Sequence, residues 1–465
     1  MSEDNVVVSF EEEARRKADA RTVTEEAKRD QRVITQDGIA GIFAKRYADR
    51  LRYCHSARSW FEFDGARWRR DETNLAFEFV RRIAREISEG KEHKELKEFR
   101  KTGFANGVEA FAQVDRAFAV TADYWDRDPL LLGTAGGTVD LRTGIMSPGD
   151  PSDGITKSTA VAPSDHIDCP EWDRFLRETT GGDRDMVRFL QQWAGYCLTG
   201  DIREHALLFA HGPGGNGKSV FLNTLTGIMA DYSTPAPSDT FTVSIGDRHP
   251  TELAALCGAR LVAASETEHG RTWAETRIKQ LTGGDEVAAR YMRGDFFRFR
   301  PSFKLTIIGN HRPKLENVDA AVRRRFNIVP FTHKPEHPDH QLEDKLREEW
   351  PEILRWMIRG CLDWQKHGLI RPARVLSATE DYFSDQDLLG QWLASCCDVE
   401  PGNDRMMETS TALHQSWSAF AKQAGEKPET QKAFVGNLEK RVPDRYKNMK
   451  GRGFKGIRLK AEHDA

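Results

Sequence analysis

Apolar residues follow three rhythms along this chain. Helical spacing runs from Leu75 to Ile87, from Trp172 to Thr179 and from Met186 to Leu198. In the last stretch Met186, Phe189, Leu190, Trp193 and Cys197 share one face, which is read as core packing. Period-two alternation marks strands. Trp60-Phe61-Glu62-Phe63-Asp64-Gly65-Ala66-Arg67-Trp68 alternates around an Asp-Gly turn and predicts a hairpin. Gly136 to Gly144 predicts a small β unit punctuated by turns. The third rhythm is the continuous apolar run, which predicts buried strands at Ala206–Ala210, Arg260–Ser265, Lys304–Ile308 and Asn327–Phe331. Helical segments Leu342–Leu346 and Ile353–Trp364 follow, and Pro372 marks a break. Residues 1–32 are dense in charge and poor in large apolar side chains, the pattern of a flexible arm.

Between the first buried run and the helical start Val220–Leu225 lies Gly212-Pro213-Gly214-Gly215-Asn216-Gly217-Lys218-Ser219. It fits G-x-x-x-x-G-K-S/T, the phosphate-binding P-loop, in the strand-loop-helix context that the motif needs. Glycines let backbone N–H groups curl around phosphate oxygens, and the helix N-terminus adds a positive dipole end. These eight residues with Val220 are the expected ATP-binding set. Lys218 is expected to reach the β- and γ-phosphates, and the Ser219 hydroxyl to ligate Mg²⁺.

Hydrolysis needs further groups. The strand Arg260–Ser265 runs into Glu266-Thr267-Glu268. In P-loop ATPases such a strand is expected beside the P-loop strand, its terminal acid holding Mg²⁺ or polarising the attacking water. Glu266 is the first choice for catalysis and metal, Glu268 the second. Lys304–Ile308 leads to Gly309-Asn310, where a neutral amide can donate to the γ-phosphate or orient the water. Asp319-Ala320-Ala321-Val322-Arg323-Arg324-Arg325-Phe326 carries three successive arginines, which cannot all point one way on a helix. One or two, Arg324 and Arg325 foremost, are expected to reach across a subunit boundary as an arginine finger. Arg290-Tyr291-Met292-Arg293-Gly294-Asp295-Phe296-Phe297-Arg298-Phe299-Arg300 interleaves bases with aromatics around a Gly-Asp turn. This predicts a hairpin that grips a phosphate backbone and stacks on bases through Arg290, Arg293, Phe296, Phe297 and Arg298. The Phe297/Phe299 alternation equally fits rings turned to a core.

Composition narrows the setting. The 465 residues suffice for two to four domains, and no apolar run approaches a membrane span. The acidic Met1-Ser2-Glu3-Asp4-Asn5 offers no signal peptide. Seven scattered cysteines without a C-x-x-C pair argue for a reducing compartment, with neither disulfide framework nor zinc site. A net charge of −3 means that any nucleic-acid contact must come from local clustering. Such clustering exists in the tail, where Lys450-Gly451-Arg452-Gly453-Phe454-Lys455-Gly456-Ile457-Arg458-Leu459 alternates like a hairpin with a basic turn. After helices near Thr411–Ala421 and Lys432–Lys440 it looks like a winged helix, with Lys450, Arg452 and Lys455 on the DNA.

The motifs in this order resemble the superfamily 3 helicases, and most closely the phage and plasmid primase-helicase family with a poxvirus-type core. The wording that carries the likeness is Ala264-Ser265-Glu266-Thr267-Glu268, Ile278-Lys279-Gln280-Leu281-Thr282-Gly283-Gly284-Asp285, Asn310-His311-Arg312-Pro313 and Arg324-Arg325-Phe326. Upstream, Trp60–Trp68, Asp126-Arg127-Asp128-Pro129-Leu130-Leu131 and Gly136–Gly144 look like the domain that precedes this core in the family. The resemblance implies an α/β fold with an AAA+-like parallel sheet flanked by helices. It divides the chain into a helicase-associated α+β domain (33–200), an ATPase core with helical cap (201–372) and a winged-helix-like DNA-binding domain (373–465). It implies a ring, usually a hexamer, hydrolysing ATP at subunit interfaces and moving along single-stranded DNA, with the 290–299 hairpin in the channel. Ser265 stands where many members carry a first acid, which leaves the division of labour between Glu266 and Glu268 open. The region before the P-loop looks wholly occupied, so a separate primase or polymerase is an expected partner, and a bacterial host's cytoplasm or nucleoid the expected location. The function expected is an ATP-dependent DNA helicase in phage or mobile-element replication, acting on single-stranded and forked DNA. An ATP-gated initiator that melts an origin without processive unwinding is the alternative; a small-molecule P-loop kinase would have no use for Arg323–Arg325.

Overall fold

The computed structural model describes residues 35–90, 92–243, 251–265, 271–292, 294–315, 319–335, 337–448 and 451–460, so the arm expected over 1–32 lies outside the described residues. The fold is mixed α/β, with helices packed on a parallel sheet.

The chain opens with α1 (Gln36–Tyr47), capped by the Thr35 hydroxyl, which accepts from the Gly38 N–H. Strands β1 (Leu51–Cys54), β2 (Ser59–Phe63) and β3 (Trp68–Arg70) follow. Next come α2 (Leu75–Ser88), α3 (His93–Phe99), α4 (Thr102–Val114) and β4 (Ala119–Val120), which completes a sheet of order β3-β2-β1-β4. The expected Asp-Gly hairpin is β2–β3, with Phe63 opposite Trp68 and Gly65 at φ +101° in the turn. Ile39, Phe43, Val80, Ile83, Val108 and Phe118 form a core of their own here.

Strands β5 (Leu131–Thr134), β6 (Gly137–Asp140) and β7 (Ile145–Ser147) form the expected small meander. Helix α5 (Pro170–Thr180) starts on a proline at its first turn, and α6 (Arg184–Cys197) is capped by the Asp183 carboxylate on the Met186 N–H. The stripe Met186, Phe189, Leu190, Trp193 and Cys197 is fully buried. It belongs to one hydrophobic cluster with Leu208 and Ala210 of the central sheet and with Trp356, Met357 and Cys361 of a later helix. The domain boundary expected at residue 200 therefore cuts through a continuous core, which begins near Leu132.

The central α/β region runs through β8 (Leu207–His211), α7 (Lys218–Met229), β9 (Ser233–Pro235), the short α8 (Thr251–Ala254), β10 (Leu261–Ser265), α9 (Glu275–Gly283), a separate hairpin of β11 (Val287–Arg290) and β12 (Phe296–Phe299), β13 (Lys304–Gly309), α10 (Ala320–Arg323) and β14 (Phe326–Pro330), with five of these strands in the central sheet. Its order is β14-β8-β13-β10-β9, all parallel. This corrects one expectation. The strand leading to Glu266 is not beside the loop strand; β13 lies between them. After β8, α7 carries the chain to the far edge at β9, β10 adds inward, and the slot left beside β8 is filled by β13.

Two buried cations fix the lower ends of β10 and β13. Arg260 donates to the carbonyls of Leu198 (2.6 Å) and Leu131 (2.7 Å) and lies 4.4 Å from the Tyr232 ring centroid. Lys304 donates to the carbonyls of Thr199, Asp201 and Ser302. Burial pulls the Lys304 ammonium down to about 7. The unfolded chain then binds more protons between about pH 7 and 10, so stability rises with pH in that window. The unfolding temperature is expected to increase from pH 7 to pH 8, with a smaller increase in Lys304→Met; equal increases would refute this assignment.

Helices α11 (Leu342–Glu348), α12 (Trp350–His367) and α13 (Ala373–Gln386) follow. Helix α12 touches α6 backbone to backbone: a Cβ on Gly195 would lie 2.0 Å from the Cys361 nitrogen. Helix α13 places Tyr382 and Phe383 in the core around β14, so the last unit starts after it rather than at residue 373. That unit comprises α14 (Leu388–Cys396), β15 (Cys397–Val399), β16 (Met407–Thr409), α15 (Ser410–Gln423), α16 (Gln431–Glu439), β17 (Arg445–Asn448), β18 (Gly451–Lys455) and β19 (Ile457–Leu459), around Trp392, Leu413, Trp417, Phe434 and Phe454. The tail hairpin is β17–β18, not a fold-back within 450–459. Gly456, at φ +71°, turns the chain out of that sheet, and β19 pairs with β15 instead. Among the described residues no helix is long and apolar enough to cross a membrane.

Candidate nucleotide site and nucleic-acid surfaces

Strand β8 delivers the glycine-rich loop to the carboxyl edge of the sheet, and α7 leaves from it. Two glycines are required by space. A Cβ on Gly212 would sit 1.9 Å from the Phe331 carbonyl oxygen, and one on Gly217, at φ +85°, would sit 2.6 Å from Thr179 Cγ2. Helix α7 has no side-chain cap and no acid in its first turn, so its leading N–H groups and dipole face the cleft uncompensated. Lys218 is 6% exposed and donates to the carbonyls of Gly212 (2.7 Å) and Pro213 (3.0 Å) and to Asn216 Oδ1 (2.9 Å). Burial lowers its pKa. The Asn216 amide in turn donates to the Phe331 carbonyl.

The cleft in front of the loop has a volume of about 330 Å³. Gly214 to Val220 line one side, and Ser265, Ile308, Gly309 and Asn310 the other. Sheet register explains this convergence. Ser265 is opposite Ile308, and Gly309 is opposite His211, so three strands end at one level. Asn310 therefore comes to the loop as expected from its place after an apolar run. Glu266 and Glu268 lie outside the described residues, beyond Ser265. Among the described residues no cluster of three His, Cys, Asp or Glu side chains is preformed for a metal.

His211, the last residue of β8, was not singled out from the sequence. Burial, then the nearby Arg312 and Lys218, push its imidazole down to about 4, so it is neutral at physiological pH. A lone histidine at a strand end carries no spacing signal; only its position one residue before the loop hints at it.

The arginine run divides into three environments. Asp319 caps α10 through the Val322 N–H. Arg323 pairs with Glu380 at 2.9 Å and lies over Phe383. Arg325 is 8% exposed, donates to Thr282 Oγ1 (3.2 Å) and the Ala321 carbonyl (2.7 Å), and holds its own fold. Arg325 is thereby corrected as a finger candidate: it is spent inside its own chain. Arg324 is exposed.

In the β11–β12 hairpin, Val287 and Ala289 face inward, while Met292 (81%) and Phe296 (64%) are exposed at the tip. Arg290 lies 5.4 Å from the Phe296 ring centroid. Phe297 is half-buried and stacks on Tyr291 at 4.8 Å, so its ring supports the hairpin from behind. Arg298 is exposed, 3.9 Å from Glu286, and Arg293 lies outside the described residues. In the tail, Arg445 and Arg452 border a groove of about 540 Å³ with Lys432 and Gly436 of α16. Lys455 is paired with Asp404 at 2.6 Å and is not a free cation; Lys450 lies outside the described residues.

A family model described as "D5 N terminal like" matches residues 40–181, and a "Family of unknown function (DUF5906)" matches 210–325. Two viral proteins, each named "Putative helicase", are similar in sequence. The one from Acanthamoeba polyphaga mimivirus is 25% identical over 308 residues, covering 60% of this chain and 32% of that protein. The one from Frog virus 3 (isolate Goorha) is 24% identical over 260 residues, covering 51% and 27%. The chain thus spans about a third or less of these relatives' length. The apo C-terminal region of NrS-1 shares the fold, with a TM-score of 0.50 at 11% identity over 92% of this chain and 100% of that one. A D5-like N-terminal part and similarity to two viral proteins named as putative helicases are thus combined in this chain with the fold of the NrS-1 C-terminal region.

Proposed function

We propose that the protein is an ATP-dependent DNA helicase of superfamily 3 in phage or mobile-element replication. It works as a ring, with an AAA+-like P-loop core hydrolysing ATP at subunit interfaces. The observation that carries this reading is the convergence of the Gly212–Ser219 loop, the Ser265 strand end and Asn310 on one cleft, in an α/β sheet whose basic-aromatic hairpin stays exposed. ATP supplies the transferable phosphoryl group, with Mg²⁺ held by Ser219 and an acid following Ser265. Lys218 exchanges the loop's own carbonyls for phosphate oxygens, Asn310 orients the water, and the α7 amides hold the phosphates. Arg290, Phe296 and Arg298 hold single-stranded DNA by charge and stacking.

The test is ATP hydrolysis with and without single-stranded DNA, at several protein concentrations. Turnover is expected to rise with DNA and more than linearly with protein. Phe296→Ala is expected to keep basal turnover and lose most of the DNA stimulation, since stacking of one base on an aromatic ring contributes about 1–3 kcal/mol. DNA-blind, strictly linear turnover would defeat the proposal. A second reading, an initiator that melts an origin without travelling, is favoured by the groove between α16 and Arg445/Arg452, which suits a winged-helix-like grip on duplex DNA. Unwinding of a fork far from any origin separates the two.

A further inference from the structure

On the side of β8 away from Asn310, β14 continues into a short strap, Phe331-Thr332-His333-Lys334, which runs along the loop's outer flank. The strap is pinned at several points. The Phe331 N–H donates to the His211 carbonyl at 2.7 Å, and the Phe331 carbonyl accepts from Asn216. Arg374 bridges from the Thr180 carbonyl (2.9 Å) to Thr332 Oγ1 (2.7 Å), joining the strap to the end of α5. The His333 ring lies against Gly181, where a Cβ would fall 2.3 Å from Nε2. A strap held this way presents Lys334 at a fixed place: its Cε lies 3.4 Å from where a Cβ on Gly215 would be, on the middle of the phosphate loop. Lys334 is exposed, and it has no hydrogen-bond or ion-pair partner among the described residues.

We infer that Lys334 is a second cation of the nucleotide site, contacting the phosphates next to the nucleoside. The inference rests on the P-loop reading. Asn310, expected to act on the γ-phosphate, follows β13, and Ser265 ends β10, both on one side of β8. Lys334 arrives from β14, on the opposite side, and leans on Gly215 in the middle of the loop. A charge there meets the part of the ligand that ADP and ATP share. It stabilises ground state and transition state alike, and so acts on binding and not on the chemical step.

The experiment is equilibrium binding of ADP and of ATP to the full chain, with steady-state kinetics, for Lys334→Ala and Lys334→Arg. Lys334→Ala is expected to weaken both nucleotides by about tenfold, the size of one charge-assisted contact. KM should rise by the same factor with kcat unchanged, and Lys334→Arg should restore most of the loss. ADP affinity within twofold of the parent would overturn the inference, leaving a solvated surface lysine. A loss confined to ATP with a fall in kcat would also overturn it, by moving Lys334 to the γ-phosphate. Lys218→Ala run alongside separates the two levels: if it leaves both affinities and turnover unchanged, the P-loop reading itself fails.

Discussion

Lys218→Ala is expected to lower ATP turnover by roughly a hundred- to a thousandfold, the loss typical of removing one preorganised group from a developing charge, about 3–4 kcal/mol. The fold should survive. The ammonium's three acceptors all belong to the loop, and Asn216 keeps its bond to Phe331 when the lysine is gone. Circular dichroism and unfolding temperature close to those of the parent, beside collapsed hydrolysis, are the expected pair of results. Retained turnover would remove the ATPase assignment.

The second large effect concerns two neighbouring arginines that should behave oppositely. Arg324→Ala is expected to leave nucleotide binding and stability intact and to lower turnover by about a thousandfold, the scale of a lost arginine finger. Arg325→Ala is expected to act on stability. It leaves Thr282 Oγ1 and the Ala321 carbonyl without their buried donor, a loss of about 1–3 kcal/mol. Mixing decides whether Arg324 works across a subunit boundary. In a ring of Lys218→Ala and Arg324→Ala subunits, some interfaces pair an intact lysine with a neighbour's intact arginine. Partial recovery of turnover is expected, and no recovery at any mixing ratio would refute action in trans.

These contrasts show where the amino-acid pattern speaks and where it falls silent. The buried strands were legible because a continuous apolar run bounded by turn residues has few other homes. Their order was not. Hydrophobic pattern says that a strand is covered on both faces but not which strand lies beside it, and the placement of β13 between β8 and β10 followed from the crossovers alone. Arg324 and Arg325 are chemically identical neighbours, and only their packing separates the exposed one from the buried one. The tail hairpin was misplaced because polar and apolar residues interleave on both sides of Gly456; the apolar phase shifts there, from Phe454 to Ile457 and Leu459, where the chain changes sheets. The boundary at residue 200 failed for a related reason. A helix that buries one stripe looks the same whether its cover lies in its own domain or in the next one, and here Trp193 is covered by the sheet.

The position of β8 also has a consequence for how the protein is made. Leu207 is paired on one side with Leu305 and on the other with Phe326. Both neighbours are synthesised roughly a hundred residues later, and contacts that distant are slow to close. While the ribosome is still reading the intervening stretch, the fully apolar Leu207-Leu208-Phe209-Ala210 has no strand on either side. Asn216 has no Phe331 carbonyl to bond, and the glycine-rich loop has no floor. The cleft at the glycine-rich loop therefore takes shape among the last parts of the central sheet, and the nascent chain carries an unpaired sticky segment until then. That interval is when a chaperone would have most to hold, and when a slowed ribosome would do most harm.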